Sequence, residues 1–292
     1  MEYKVEVAGG MANDMGLESA SSDIRQVVNK KVDTFIGEMC GLVSAGGEGL
    51  RLRPITIEHP KPLVEIGSVK RPLIYWSMLP MVLGGVTRFV IGLRHGADKI
   101  KERLGDGGEF SQDLGRPISI TYVEEREPLG RAGCIKYGIE NGLIDPRRPA
   151  VIFNASDILR LNLRSLVGHY LWLKACHGFN VVQVYTSGFR VQYGIGKVDF
   201  STSQVIDFIE KPVFQDLANT ACYIIYGRLE DFRTVQKIPS NPEDELIYKW
   251  LKEKTLGAYV IGHEDIISIK FQRDLDKVDN MDLDRYVRSA YE

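Results

Sequence analysis

A short apolar run, Met39 to Ala45, passes without a turn residue into Gly46-Gly47-Glu48-Gly49, with Arg51 and Arg53 close behind and Lys61 ten residues after Arg51. An apolar segment of this length bounded by glycines reads as a buried strand. Glycine lets main-chain N–H groups crowd an anion, because a Cβ would hold the chain away and penalise positive φ. Arg51 adds a planar fork of donors and Lys61 a compact charge. Strand, bare loop and cation in that order constrain the fold to one that delivers a strand end to a phosphate. The string is not a dinucleotide fingerprint, since position 52 is Leu, and no Gly-Lys-Ser/Thr follows to make a P-loop.

Downstream, strands and helices alternate. Strands are expected at 40–45, 88–93, 118–123, 151–153 and 180–185, and helices at 72–83, 97–104, 130–141 and 163–176. This rhythm predicts an α/β fold: a Rossmann-like, mostly parallel sheet with helices on both faces, whose ligands sit beyond the carboxyl ends of the strands. After residue 190 the strands shorten, at 194–199, 205–209, 221–226, 258–261 and 266–269. A helix at 243–254 and a charged terminal helix at about 273–291 complete the chain. The domain reading is an N-terminal extension, 1–38, ahead of one domain, 39–292, with a smaller β-rich part at about 186–270. In the extension, Tyr3, Val5 and Val7 alternate as an edge strand would. Ile24, Val27, Val28, Val32, Phe35, Ile36 and Met39 recur at helical spacing, with Ser22 as the N-cap. That stripe is expected to pack on its own domain or on a second subunit.

With 37 basic against 39 acidic residues the net charge is −2, so no broad field invites nucleic acid or an anionic membrane. No apolar run approaches the ~18 residues of a membrane span and no signal core is visible, so a cytoplasmic protein is expected. Cys40, Cys134, Cys176 and Cys222 are far apart and read as reduced thiols. No nucleophile elbow or zinc spacing is present.

The full string from Gly46 to Thr56, continued by Pro60-Lys61-Pro62-Leu63, closely resembles the signature of the sugar-1-phosphate nucleotidylyltransferases, Gly-Gly-x-Gly-Thr-Arg-Leu-x-Pro-Leu-Thr followed by Pro-Lys-Pro-Leu. The resemblance, which runs to about residue 280, implies the nucleotide-diphospho-sugar transferase type of fold and a reaction of a nucleoside triphosphate with a sugar 1-phosphate. It places the nucleotide on Ala45, Gly46, Gly47, Gly49, Glu125 and Gly130, with Arg51 and Lys61 on the triphosphate. Asp157, in Asn154-Ala-Ser-Asp157, matches a metal position, and Mg²⁺ is the implied cofactor. Tyr193-Gly194 and, sixteen residues after Gly194, Glu210-Lys211-Pro212 resemble the sugar-phosphate motifs, with Asn219 beside them. Glu125 stands where many thymidylyl and uridylyl members carry Gln; an acceptor-only carboxylate suits guanine's N–H edge better than thymine's mixed edge and so favours GTP, and GTP or dTTP with a mannose- or glucose-type hexose are the first pairs expected. A homo-oligomer is the implied assembly.

Five positions depart from the pattern. Leu50 and Arg131 replace threonines, and Ala221 replaces a glycine. The second metal aspartate falls on Ser268, with Lys270 for a glycine, when the chain is aligned on Asp274-Leu275; a second alignment, on Gly262, brings Asp265 near that place. Strand alternation favours Ser268. These departures leave a rival reading open, a non-catalytic paralogue that binds nucleotide sugar as a sensor or subunit. A third, with an alcohol phosphate acceptor, is opposed by Glu210-Lys211-Pro212.

Overall fold

A computed structural model describes residues 15–188, 191, 193–213 and 216–292, and the expected strand at Tyr3–Val7 lies outside them. Seven strands form the central sheet in the order Leu256–Ile261, Val181–Thr186, Ala218–Ile225, Ala150–Asn154, Cys40–Ser44, Arg88–Leu93 and Ser119–Glu124. All neighbours run parallel except Ala218–Ile225, which is antiparallel to both strands beside it. The Cys40–Ser44 strand is central and buried on both faces, which is why it reads as an unbroken apolar run.

Two apolar layers cover the sheet. One is built on the helix Leu73–Gly84, nearly all of whose side chains are buried, with Ile100, Leu166, Val167 and Tyr170 from neighbouring helices. The other gathers Ala132, Ile135 and Ile139 of helix Gly130–Glu140 with Phe232, Leu246 and Trp250. Strand order reverses beside the centre: from Cys40–Ser44 the chain steps outward to Arg88–Leu93 and Ser119–Glu124, then returns to Ala150–Asn154 on the other side. The chains leaving those two adjacent strands diverge, and a crevice opens at their carboxyl ends.

Three expectations need correction. The first helix begins at Met15 rather than at Ser22, and Val27 and Val28 are exposed. Its later turns pack on the molecule's own helix Leu163–His177, with the Phe35 ring 5.2 Å from that of Tyr170. The terminal helix is two, Gln272–Val278 and Leu283–Arg288, because Asp282 accepts the Arg285 N–H at 3.0 Å and so starts a new helix. A short helix, Gly108–Leu114, was not foreseen; Phe110 is its only buried side chain, too little to set a period.

Among the described residues three small ladders stand apart from the main sheet, the shortest pairing Glu65–Ile66 with Arg71–Pro72. Ile195–Asp199 and Gln204–Ile209 make an antiparallel pair in which every residue of the second strand is exposed. Asp157–Leu159 pairs antiparallel with Ile266–Ser268 and carries one side of the crevice.

Candidate functional site

The crevice holds a cavity of about 850 Å³. Its floor is the loop after the central strand. Gly49 sits at φ 66°, and a Cβ there would meet Thr56 Cγ2 at 2.9 Å, so the turn demands glycine. Leu52 N donates to Gly49 O at 2.8 Å and Thr56 Oγ1 to the same oxygen at 2.9 Å, which fixes the loop. Around Gly47 a Cβ would meet nothing within 4 Å, so packing does not require its bareness, and the open space is the cavity. Ala45, Gly46, Gly47, Gly49, Arg51, Lys61 and Asp157 all line this one hollow.

Asp157 is buried, at 7% exposure. Asn154 Nδ2 donates to its Oδ2 at 2.8 Å, while Oδ1 is buried and has no hydrogen-bond partner among the described residues. A native structure leaves few such atoms unmatched, so this carboxylate oxygen has acceptor capacity facing the cavity that the described residues do not use. Lys61 is nearby and largely desolvated. Burial lowers its pKa to about 8, with Asp157 working against that fall and the like charges of Arg51 and Lys270 adding to it. Arg51 lies over the Phe271 ring, 5.5 Å from its centroid.

Across the ladder, Ser268 is the register partner of Asp157, and both line the cavity. The position that strand alternation favoured for the second metal aspartate, Ser268, thus faces Asp157 across the ladder. Asp265, the alternative metal candidate, faces elsewhere: Arg160 Nε donates to its Oδ1 at 2.6 Å and the Gly262 N–H to its Oδ2 at 2.9 Å. Its carboxylate is spent on an ion pair and a cap, and it does not line the cavity. No cluster of three or more His, Cys, Asp or Glu able to hold a metal occurs among the described residues. The side chains present therefore do not fit a two-carboxylate Mg²⁺ site; Asp157 alone remains.

The opposite wall carries Glu125, Gly130, Arg131 and Asn219. Glu125 Oε2 accepts the Leu129 N–H at 3.0 Å. Gly130, at φ 72°, packs so closely on Ser240 that a Cβ would come within 2.4 Å of its carbonyl oxygen. Arg131, one of the departures from the resembled pattern, turns into the wall and donates through Nη2 to Glu243 Oε2 at 2.6 Å, leaving Nη1 buried without a partner among the described residues. Glu243 Oε1 accepts from Tyr223 O–H at 2.6 Å and Asn219 Nδ2 at 2.8 Å. Burial pushes its pKa up, but Arg131 and the Tyr223 hydrogen bond outweigh burial and hold it below the ordinary range. Sequence reasoning missed Glu243 as the group that orients Asn219 and Arg131; it lies 24 residues from Asn219 and belongs to no motif. Ala221 takes φ 60°, the conformation its expected glycine would hold freely, with its N–H bound by Asn219 Oδ1 at 2.6 Å.

Tyr193, Gly194, Glu210 and Lys211 are not brought to the cavity wall. They belong to the exposed two-stranded hairpin, where Lys211 Nζ stands 3.7 Å from Glu210 Oε1, both more than half exposed. The Tyr193-Gly194 and Glu210-Lys211 motifs do meet one another, since a Cβ on Gly194 would lie 2.8 Å from Glu210 Oε2. Gln192 lies outside the described residues.

Residues 40–259 match the family model described as nucleotidyl transferase. The chain belongs to that family. This nucleotidyl transferase is 30% identical over 224 residues to a mannose-1-phosphate guanyltransferase of Saccharomyces cerevisiae, a stretch covering 76% of this chain and 58% of the yeast protein. It is 28% identical over 225 residues to a probable mannose-1-phosphate guanylyltransferase of Oryza sativa, with 76% and 59% covered. The nucleotidyl transferase thus spans under two thirds of the length of these relatives. Among solved structures it superposes on a Bacillus anthracis protein provisionally named a glucose-1-phosphate thymidylyltransferase, in complex with a sucrose, with TM-score 0.62 and 19% identity over 87% of this chain and 96% of that one. It also superposes on HddC from Yersinia pseudotuberculosis complexed with GMP-PN, with TM-score 0.56 and 22% identity over 82% and 97%. At these identities the superpositions establish the fold. No described helix is long and apolar enough to cross a membrane.

Proposed function

We propose that this nucleotidyl transferase joins a nucleoside triphosphate and a hexose 1-phosphate to give a nucleotide sugar and pyrophosphate, with GTP or dTTP and mannose- or glucose-type phosphates as the first pairs. In that reaction a phosphate oxygen of the sugar forms a bond to the α-phosphorus, and the bond from that phosphorus to the α,β-bridging oxygen breaks. Two anions must be held together, so positioning and positive charge do most of the work. The reading is carried by one observation: Gly46–Gly49, Arg51, Lys61 and Asp157 converge on a single cavity at the point where strand order reverses. The bare loop would receive the triphosphate, Arg51 and Lys61 would neutralise it, and Glu125 would accept from the base. Asn219, held by Glu243, would face the sugar. The expected Mg²⁺ would have Asp157 Oδ1 as its one protein carboxylate oxygen. Glu210 and Lys211 could take part only if their hairpin moved over the cavity.

A pyrophosphate-release assay across the common nucleoside triphosphates and several hexose 1-phosphates tests the reading; neither turnover nor binding with any pair would overturn it. The pairing of Ser268 with Asp157 favours a second reading, a protein that binds nucleotide sugar without turning it over. Calorimetric binding of nucleotide sugar with no pyrophosphate released in the presence of Mg²⁺ would select it. Both readings describe a cytoplasmic homo-oligomer, the assembly being measurable by light scattering.

A further inference from the structure

Lys270 lines the cavity with a positive charge at a position where the resembled pattern carries a glycine. It lies two residues beyond Ser268, the register partner of Asp157, and lines the same hollow. Its backbone is fixed on both sides: Ile269 N donates to Ser156 O at 3.0 Å, and Asp274 Oδ2 accepts the Lys270 and Phe271 N–H groups at 2.9 and 2.8 Å. A flexible stem on a rigid base therefore projects its ammonium from the wall that also carries Asp157. Lys61 registers Lys270 as a like charge and Asp157 as an opposite one, so the three groups share one field.

The charge balance is suggestive. Two aspartates with one divalent cation sum to zero, and one aspartate with one lysine also sum to zero. Exchanging the second carboxylate for Ser268 and adding Lys270 keeps the local charge that a diphosphate meets while removing half of the metal's protein ligands. An ammonium binds phosphate as a compact point charge and needs no carboxylate to hold it in place.

We propose that Lys270, with Arg51 and Lys61, supplies the positive charge that holds the diphosphate of a nucleotide sugar, so that binding at this site requires no divalent cation. The inference rests on the nucleotide-sugar reading of the cavity and specifies how that ligand is gripped.

Calorimetry of the full chain with GDP-mannose and with dTDP-glucose, each in excess Mg²⁺ and in excess EDTA, tests it. Wild-type affinity is expected to agree between the two media within about twofold, a difference near ~0.4 kcal/mol. Lys270→Ala is expected to weaken binding in EDTA by about tenfold or more, the loss of one charge-assisted hydrogen bond. Lys270→Arg should recover most of that loss. Adding Ser268→Asp to Lys270→Ala should return affinity only when Mg²⁺ is present. Lys270 is exposed, so its variants should keep the wild-type thermal melt, which is measured alongside. Wild-type binding that vanishes in EDTA, or Lys270→Ala binding as tightly as wild type in EDTA, overturns the inference and leaves the functional reading standing. Failure of the wild type to bind either nucleotide sugar in either medium overturns the functional reading itself.

Discussion

Replacing Lys61 with methionine should make the protein more stable and less able to bind nucleotide. Methionine keeps the length of the stem and removes the charge. The lysine's pKa falls from 10.5 to about 8, so keeping it protonated in the folded chain costs at most roughly 3.4 kcal/mol at ~1.36 kcal/mol per unit. Solvent reaching the ammonium, and the loss of a positive neighbour for Asp157, reduce the expected gain to about 1–2 kcal/mol. The sign follows from proton binding: a folded pKa below the unfolded one means that the cost is fully present below about pH 8. It disappears as pH rises from there toward 10.5, where the lysine is neutral in both states. Urea unfolding of both proteins at pH 7, 8.5 and 10 should therefore give a stability gap that is widest at pH 7 and nearly closed at the highest pH. Comparing the two proteins cancels the tyrosines and cysteines that titrate in the same range. A variant less stable than wild type at pH 7, or a gap that does not change with pH, would refute the argument.

Three further outcomes can be measured. Ala221→Gly should raise stability by about 1 kcal/mol in chemical denaturation, because φ 60° is strained for any residue with a Cβ. Asp157→Asn should lower pyrophosphate release by at least about a hundredfold while leaving the fold intact, since the buried Oδ1 has no described partner to lose. Asp265→Asn should weaken the Arg160 ion pair and cost about 1 kcal/mol of stability, with no change in the Mg²⁺ concentration needed for half-maximal activity; a shift in that requirement would restore Asp265 as a ligand.

The parts legible in the sequence were those in which one physical rule acts alone. Central strands buried on both faces leave unbroken apolar runs, so Cys40–Ser44 and Arg88–Leu93 could be read almost to the residue. The loop at Gly46–Gly49 and Lys61 were visible because anion chemistry allows few residue types. Alternation pointed to the residue that faces Asp157, Ser268, since a slip of one residue would have turned Ile267 and Ile269 to the other face. What stayed hidden depended on tertiary position. Nothing near Glu243 signals that three side chains from other elements converge on it. The Glu210-Lys211 motif reads identically whether its hairpin covers the cavity or stands clear. The break between the last two helices follows from Asp282 acting as a cap, while the charged residues on either side would suit one long helix equally well.

The wall bearing Ser268 and Lys270 is a two-strand stitch, separate from the ladder that holds the seven-stranded sheet. It also lies past residue 259, where the match to the family model stops. Ionic chemistry on that stitch can therefore be rewritten without disturbing the scaffold. Exchanging only Ser268 and Lys270, while the core residue Ile269 stays in place, would be a change of fittings in an unchanged frame, and under the proposal above it would switch the hollow between a metal-dependent grip and a metal-free one.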